Sequence, residues 1–169
     1  FYIGPLGELY VLDYHRQFIE HPEWMATEVV ESGQLYHGKD KGRIYRIHHE
    51  DQSLELSGPY PGYLPQKDLL PLLAHENNWW RRTAQRLIIQ EQDSEIIPSL
   101  TNFALETDSD LGLLHALWTL EGLNSFQIAA IERALTSKSA GVRENAILLA
   151  EQHLAESVSY THLRAHETS

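Results

Sequence analysis

Residues 76–87 read ENNWWRRTAQRL, two tryptophans beside two arginines. Such a stretch suits a nucleic-acid platform, a ligand cage or one turn of a structural helix. The register of the neighbouring segments separates the three. Trp80, Ala84, Leu87 and Ile88 fall at i, i+4, i+7 and i+8, one stripe of an α-helix. Trp80 is therefore expected in the core. Trp79, about 100° round the helix, is expected half exposed. Arg81, Arg82 and Arg86 are expected on flanking or outer faces, as solvated cations or ion-pair partners.

The stripe returns downstream. Ala84, Ala116 and Ala146 align at spacings of 32 and 30 residues. Trp80, Gly112 and Val142 sit four positions earlier; Leu87, Thr119 and Leu149 sit three later. The 3.6-residue period predicts six helices, over 66–75, 78–91, 95–106, 110–122, 125–137 and 140–155. Asn77–Asn78, Asp108–Asp110 and Ser137–Gly141 supply N-cap residues between them. Two helices per unit of about 30 residues signal an α-solenoid similar to short HEAT-type repeats. Three units are near the minimum for stability, and the outer faces need covers. His115, in an apolar face beside Ala116, is expected to be hydrogen-bonded between repeats rather than to ligate. Trp118 adjoins a core position and should pack. Asp108, Asp110 and Glu121 read as solvated surface.

Residues 1–63 have another character, rich in Gly, Tyr and His. GELYVLDY alternates around Leu9, Val11 and Asp13, with Gly7 as a turn; GRIYRIHHE carries Ile44, Tyr45 and Ile47 after Gly42. Both read as strands. The intervening YHRQFIEHPEWMATEVVESG is irregular or short-helical, broken by Pro22 and closed by Gly33. Two strands joined by a long excursion cannot close a core alone. This half is expected to be the end of a larger β-structure, with two to four strands and exposed strand edges. Pro59, Pro61, Pro65, Gly58 and Gly62 mark a boundary. The expected fold class is α+β by segment and mostly α: the end-piece of a β-structure over 1–56, a linker over 57–65 and helical repeats over 66–156.

Composition excludes several classes. The 169 residues carry a net charge of −11. Residues 1–63 hold 5 Lys and Arg against 10 Asp and Glu; residues 64–156 hold 7 against 13. Such a surface repels phosphate and argues against general nucleic-acid binding. The absence of cysteine rules out a thiolate zinc site, disulfides and a C-x-x-C-H haem attachment in this chain. No run of about 18 apolar residues is long enough to span a membrane. The chain opens without Met in what reads as the middle of a strand, and is expected to be a fragment. Its ending, SVSYTHLRAHETS, breaks the helical pattern and looks like translated sequencing adapter, so residues 157–169 are expected to be non-native. The i, i+4 pair His162 and His166 is discounted as a metal site for that reason.

The strand signals belong to a longer pattern. Asp13, Arg16, Ile19, Glu20, His21 and Pro22 are followed by Gly42, Arg43, Ile44, Tyr45, Arg46 and Ile47. This resembles the closing blade of a β-propeller in the membrane-bound dehydrogenase family, which is related to soluble sugar dehydrogenases of the glucose/sorbosone type. HENNWWRRTAQRL and LLHALWTLEGL look like that family's helical repeats after the propeller, so the resemblance covers residues 1–156. It implies an exported, periplasmic parent in which the propeller comes first, helical repeats follow, and in many relatives a cytochrome-c-like domain ends the chain. The cofactors it implies for the parent are pyrroloquinoline quinone, calcium and haem c, none of them held within this chain. A propeller site is assembled from several blades, so this polypeptide is not expected to catalyse anything by itself.

On that resemblance, Asp13, Arg16 and Arg43 are the candidate cofactor-binding residues. Asp13, His15, Arg16, Glu20 and His21 form the densest polar cluster. Facing the propeller axis, they would meet an anionic quinone, a sugar hydroxyl or a calcium ion, with Arg16 on carboxylates and Asp13 or Glu20 as oxygen ligands. The alternative is that Arg16 and Glu20, spaced i, i+4, pair with each other or fix the loop. His15 and His21, six apart, do not suit a metal site, and His48–His49 read as surface. GKDKGR lacks Walker spacing and reads as a tight connection, with Lys39, Lys41 and Arg43 alternatively lining the propeller mouth. Two functions remain: a fragment of an exported sugar or polyol dehydrogenase whose repeats are a spacer or docking scaffold, or a non-catalytic scaffold that binds carbohydrate or protein.

Overall fold

The computed structural model describes residues 1–56 and 58–167, with side chains as far as His153. The side chains of the expected non-native tail, including His162 and His166, lie outside the described residues. The chain divides into two compact units, Phe1–Leu56 and Ser57–Ser169.

The first unit carries a three-stranded antiparallel sheet: β1 (Tyr2–Ile3), β2 (Leu9–Asp13) and β3 (Arg43–Ile47), with β2 in the centre. Leu9 pairs with Ile47, Val11 with Tyr45 and Asp13 with Arg43. Between β2 and β3 the chain forms 3₁₀ turns at Pro22–Trp24 and Gln34–Tyr36 and a short helix α1 (Thr27–Glu31). Pairing leaves apolar side chains on both faces of the sheet, because Leu12 lies opposite Ile44 and Leu9 opposite Ile47. Leu12 is 68% exposed, Ile44 71% and Ile47 55%. Among the described residues of this unit, Leu35 is the sole buried apolar side chain.

The β1–β2 connection is organised around a carboxylate. Glu8 is buried, accepts from the Leu6 N–H at 2.8 Å and from the Tyr10 hydroxyl at 3.2 Å. Gly4 makes room for it: a Cβ there would lie 2.5 Å from Glu8 Cδ. Nothing in the strand alternation signals this, since Glu8 stands one residue before the first paired position.

The second unit is helical. α2 (Gln66–Leu69) continues as a 3₁₀ turn (Pro71–Ala74), followed by α3 (Asn78–Glu91), α4 (Ile97–Glu106), α5 (Asp110–Gly122), α6 (Ile128–Leu135) and α7 (Ala140–Glu167). The expected single helix over 66–75 is broken at Pro71, whose ring clashes with the preceding turn and whose nitrogen carries no proton. α7 passes its expected end at 155, since no Gly or Pro after Gly141 interrupts it. Asn77 caps α3 by accepting from the Trp79 N–H, and Ser109 caps α5 by accepting from the Gly112 N–H.

α3, α5 and α7 pack side by side, and α4 and α6 pack together against α5 and α7. Ala84, Ala116 and Ala146 are fully buried at the crossings, where a small side chain lets neighbouring helices close up. Leu73, Ile88, Leu100 and Leu149 fill the space around them. Each such burial contributes about 1.5–3 kcal/mol.

The N-terminal half of α3 departs from the expected stripe. Its buried positions are Arg81, Ala84 and Ile88, and Trp80 is only half-buried. Trp80 instead stacks on His75 with centroids 5.4 Å apart and meets Trp79 edge-on at 5.2 Å. Arg81, expected in solvent, is 7% exposed. It donates to the carbonyls of His75 and Glu76 at 2.6 and 2.7 Å, which close the end of the preceding turn. A guanidinium reaches those carbonyls from the inner face and a tryptophan cannot. Arg82 and Arg86 are exposed, as expected.

Candidate functional site

Asp13, Arg16 and Arg43 do not converge on one ligand. Asp13 ends β2 and Arg43 opens β3, directly opposite each other in the ladder. They form no ion pair; Asp13 Oδ1 accepts from the His15 N–H at 3.1 Å, and Arg43 donates to the Lys41 carbonyl at 2.6 Å. Arg16 lies in the loop after β2, donates to the Tyr36 carbonyl at 3.4 Å and sits over the Tyr14 ring at 5.6 Å. The expected Arg16–Glu20 pair is not made. Arg16 ties its loop to the turn twenty residues on, which is the loop-fixing role by another route.

That tie is one of several between residues 14–18 and 36–41. The Gln17 N–H donates to the His37 carbonyl at 3.4 Å. His37 Nδ1 lies 2.9 Å from Gln17 Oε1. Gly38, at φ +83°, presses on His15: a Cβ there would stand 2.5 Å from the His15 carbonyl oxygen. His15 itself is held at φ +33°, a conformation side chains avoid. Of the three candidate residues, only Arg16 lines the cleft between these loops.

Calcium does not fit these residues. Among the described residues no three His, Asp or Glu side chains gather to hold a metal ion, and Asp13 is turned to its own backbone. Haem c has no thiol to attach to. No chemical step through either group follows from this chain.

The helical unit holds its polar side chains between neighbouring helices. His115 Nδ1 lies 2.7 Å from Gln85 Oε1, so this histidine of α5 is hydrogen-bonded to α3. Burial, and then the nearby Arg81 and Arg82, push its pKa from 6.5 down to about 4. Trp118 Nε1 donates to Asn145 Oδ1 at 2.8 Å. Glu121, expected on the solvated surface, is half-buried and lies 2.8 Å from His153 Nε2. Its partner comes from α7, 32 residues away, so spacing alone does not reveal it. Asp110, also read as surface, accepts from the Ser137 hydroxyl at 2.9 Å.

Two arginines unremarked in the sequence repeat Arg81's role. Arg143 donates to the carbonyls of Ser137 and Lys138, six and five residues before it, the same offsets as Arg81. Arg133 donates to the carbonyls of Ala104, at 2.8 Å, and Thr107 at the end of α4. The available signal was positional: Arg81 and Arg143 both stand three residues before a repeat alanine.

A family model described as "Domain of unknown function (DUF7133)" matches residues 1–51, inside the first unit. No curated protein and no solved structure matches the chain. No helix among the described residues is long and apolar enough to cross a membrane. The comparisons therefore liken the sheet and its connecting loops, and no other part, to a family defined by sequence.

Proposed function

We propose that the chain is a non-catalytic part of an exported sugar or polyol dehydrogenase-like protein. In it the first unit is the closing blade of a β-propeller, and the helical unit, a stack of HEAT-like repeats, is a spacer and docking scaffold. One observation carries the architectural half: a sheet of three strands bearing apolar side chains on both faces, in a unit with one buried apolar residue. A blade in a ring is covered on both faces by its neighbours, which would remove Leu12, Ile44 and Ile47 from water. The dehydrogenase half rests on the motif Asp13-x-x-Arg16 with Gly42-Arg43-Ile44-Tyr45-Arg46-Ile47. Quinone, calcium and haem c would be held by other segments of the parent. The net charge of −11 speaks against a nucleic-acid partner.

A second reading, a scaffold that binds carbohydrate or protein without catalysis, is favoured by the scatter of Asp13, Arg16 and Arg43. It is also favoured by exposed apolar side chains on the helical unit, Leu111, Ile147 and Leu148.

The test uses the open reading frame that contains this chain, extended in both directions. Dye reduction is measured against a panel of sugars and polyols, with and without added quinone and calcium. The dehydrogenase reading expects reduction with at least one substrate. If none reduces the dye under any reconstitution, that reading is abandoned and the scaffold remains. The architectural half has its own test in the 169-residue chain: an uncovered sheet should self-associate in sedimentation velocity, and replacing Leu12 and Ile44 with lysine should abolish that association. Association that survives both changes counts against it.

A further inference from the structure

The loops around 14–18 and 36–41 enclose a cleft of about 460 Å³ lined by His15, Arg16, Gln17, His37, Gly38 and Lys41. We propose that this cleft binds a small oxyanion, a phosphate or carboxylate group, gripped by Arg16 and Lys41. The inference goes beyond the proposed function, because the site is complete within one unit and needs no neighbouring blade.

Charge is the first argument. Carboxylates outnumber cations two to one in this part of the chain, yet none lines the cleft. Among the described residues, neither Arg16 nor Lys41 has a carboxylate within ion-pairing distance. Two cations facing one recess without a counter-charge repel, and an anion placed between them relieves that repulsion. Arg16 gives one N–H to the Tyr36 carbonyl, and its guanidinium lies over the Tyr14 ring. The remaining guanidinium donors form the planar fork that matches two oxygens of one anion.

Construction is the second argument. The cleft walls are joined by the Gln17–His37 contacts and by the close approach of Gly38 to His15. Its shape is thus set by the fold. Holding His15 at φ +33° costs energy that the surrounding contacts must cover, and such strain collects at binding sites. Of the trio suggested by the sequence pattern only Arg16 is in the lining; Asp13 and Arg43 are not, and Lys41 supplies the second cation.

The experiment is isothermal titration of the full 169-residue chain with inorganic phosphate and, separately, with malonate, at ionic strength held constant with chloride. We expect saturable one-site binding of at least one of them; the tighter arm tells phosphate from carboxylate. Lys41→Gln, whose side chain makes no hydrogen bond or ion pair among the described residues, should weaken binding at least fivefold, and Arg16→Gln by more. Lys67→Gln, in the helical unit, should leave it unchanged. In the unmodified chain the ring resonances of His15 and His37 should shift along the same titration, which keeps the test independent of how the variants fold. Heat no different from chloride, affinity untouched by Lys41→Gln, or histidine resonances that stay still would each overturn the assignment. Dye reduction by the extended protein is a separate readout, so either idea can fail without the other.

Discussion

Acidification should loosen the helical unit through His115. In the folded chain its imidazole is neutral well into the acid range, with a pKa near 4 in place of 6.5. Gln85 Oε1 accepts at 2.7 Å, so Nδ1 carries the proton of the neutral ring and a second proton must enter at Nε2. That cation would be partly buried beside Arg81 and Arg82. The unfolded chain takes the proton near 6.5 and the folded chain only near 4, so between these values the unfolded state binds more protons. Stability is therefore full above about pH 6.5 and falls as the pH drops towards 4. The whole shift of about 2.5 pH units would correspond to about 3 kcal/mol. Because the ring is partly open to solvent, we expect roughly half of that, about 1–2 kcal/mol. Urea unfolding of the native chain and of His115→Asn at pH 7.5, 6.0 and 4.5 measures it. The other nine histidines are common to both proteins, so the difference isolates His115. The native chain should lose more stability on acidification than the variant, by the amount given. Parallel pH dependences would refute the buried, guanidinium-flanked imidazole. So would a His115 proton resonance that titrates near 6.5.

Arg81→Met keeps the buried stem but leaves the His75 and Glu76 carbonyls unpaired, and should cost about 2–3 kcal/mol in urea unfolding; a cost below about 0.5 kcal/mol would show that these carbonyls find water instead. Gly4→Ala drives a methyl into the Glu8 carboxylate and should destabilise the β1–β2 connection by about 1–3 kcal/mol, seen as faster hydrogen exchange of the Leu6 N–H that Glu8 accepts. Trp118→Phe keeps an aromatic ring but removes the donor to Asn145, and should cost about 0.5–1.5 kcal/mol. A double-mutant cycle with Asn145→Ala should return a coupling of similar size.

The helices were legible where their causes are local. α3 and α5 run over 78–91 and 110–122 as the sequence predicts, because Asn77 and Ser109 cap them and their apolar spacing holds for three turns. The repeat alanines were legible for the same reason. Pro71 is an equally local cause, and it ends α2 after one turn. The sheet was legible only as strands; its pairing of Asp13 with Arg43 needed the excursion over residues 14–42 to close. The candidate site fared least well. Spacing offered Arg16 either a pair with Glu20 or a loop-fixing role; it fixes the loop, through a backbone carbonyl twenty residues on, and no side-chain pattern reports a carbonyl.

By itself, then, the sequence determined the class of each segment: period-two runs before the proline-rich stretch, period-3.6 runs after it, caps, and a recurring small residue. These follow from backbone geometry and one turn of neighbours, which adjacent residues specify. Tertiary structure decided which polar groups are buried. Arg81 lies inside and Trp80 half out because open carbonyls at the end of the preceding turn demand a donor, a need that arises only once helices pack. The same holds for Glu8 against Gly4, and for His15, Arg16 and Lys41 around one cleft. Burying a charge or crowding cations is tolerable only where the fold delivers a partner or a recess, and no side-chain period reports that delivery.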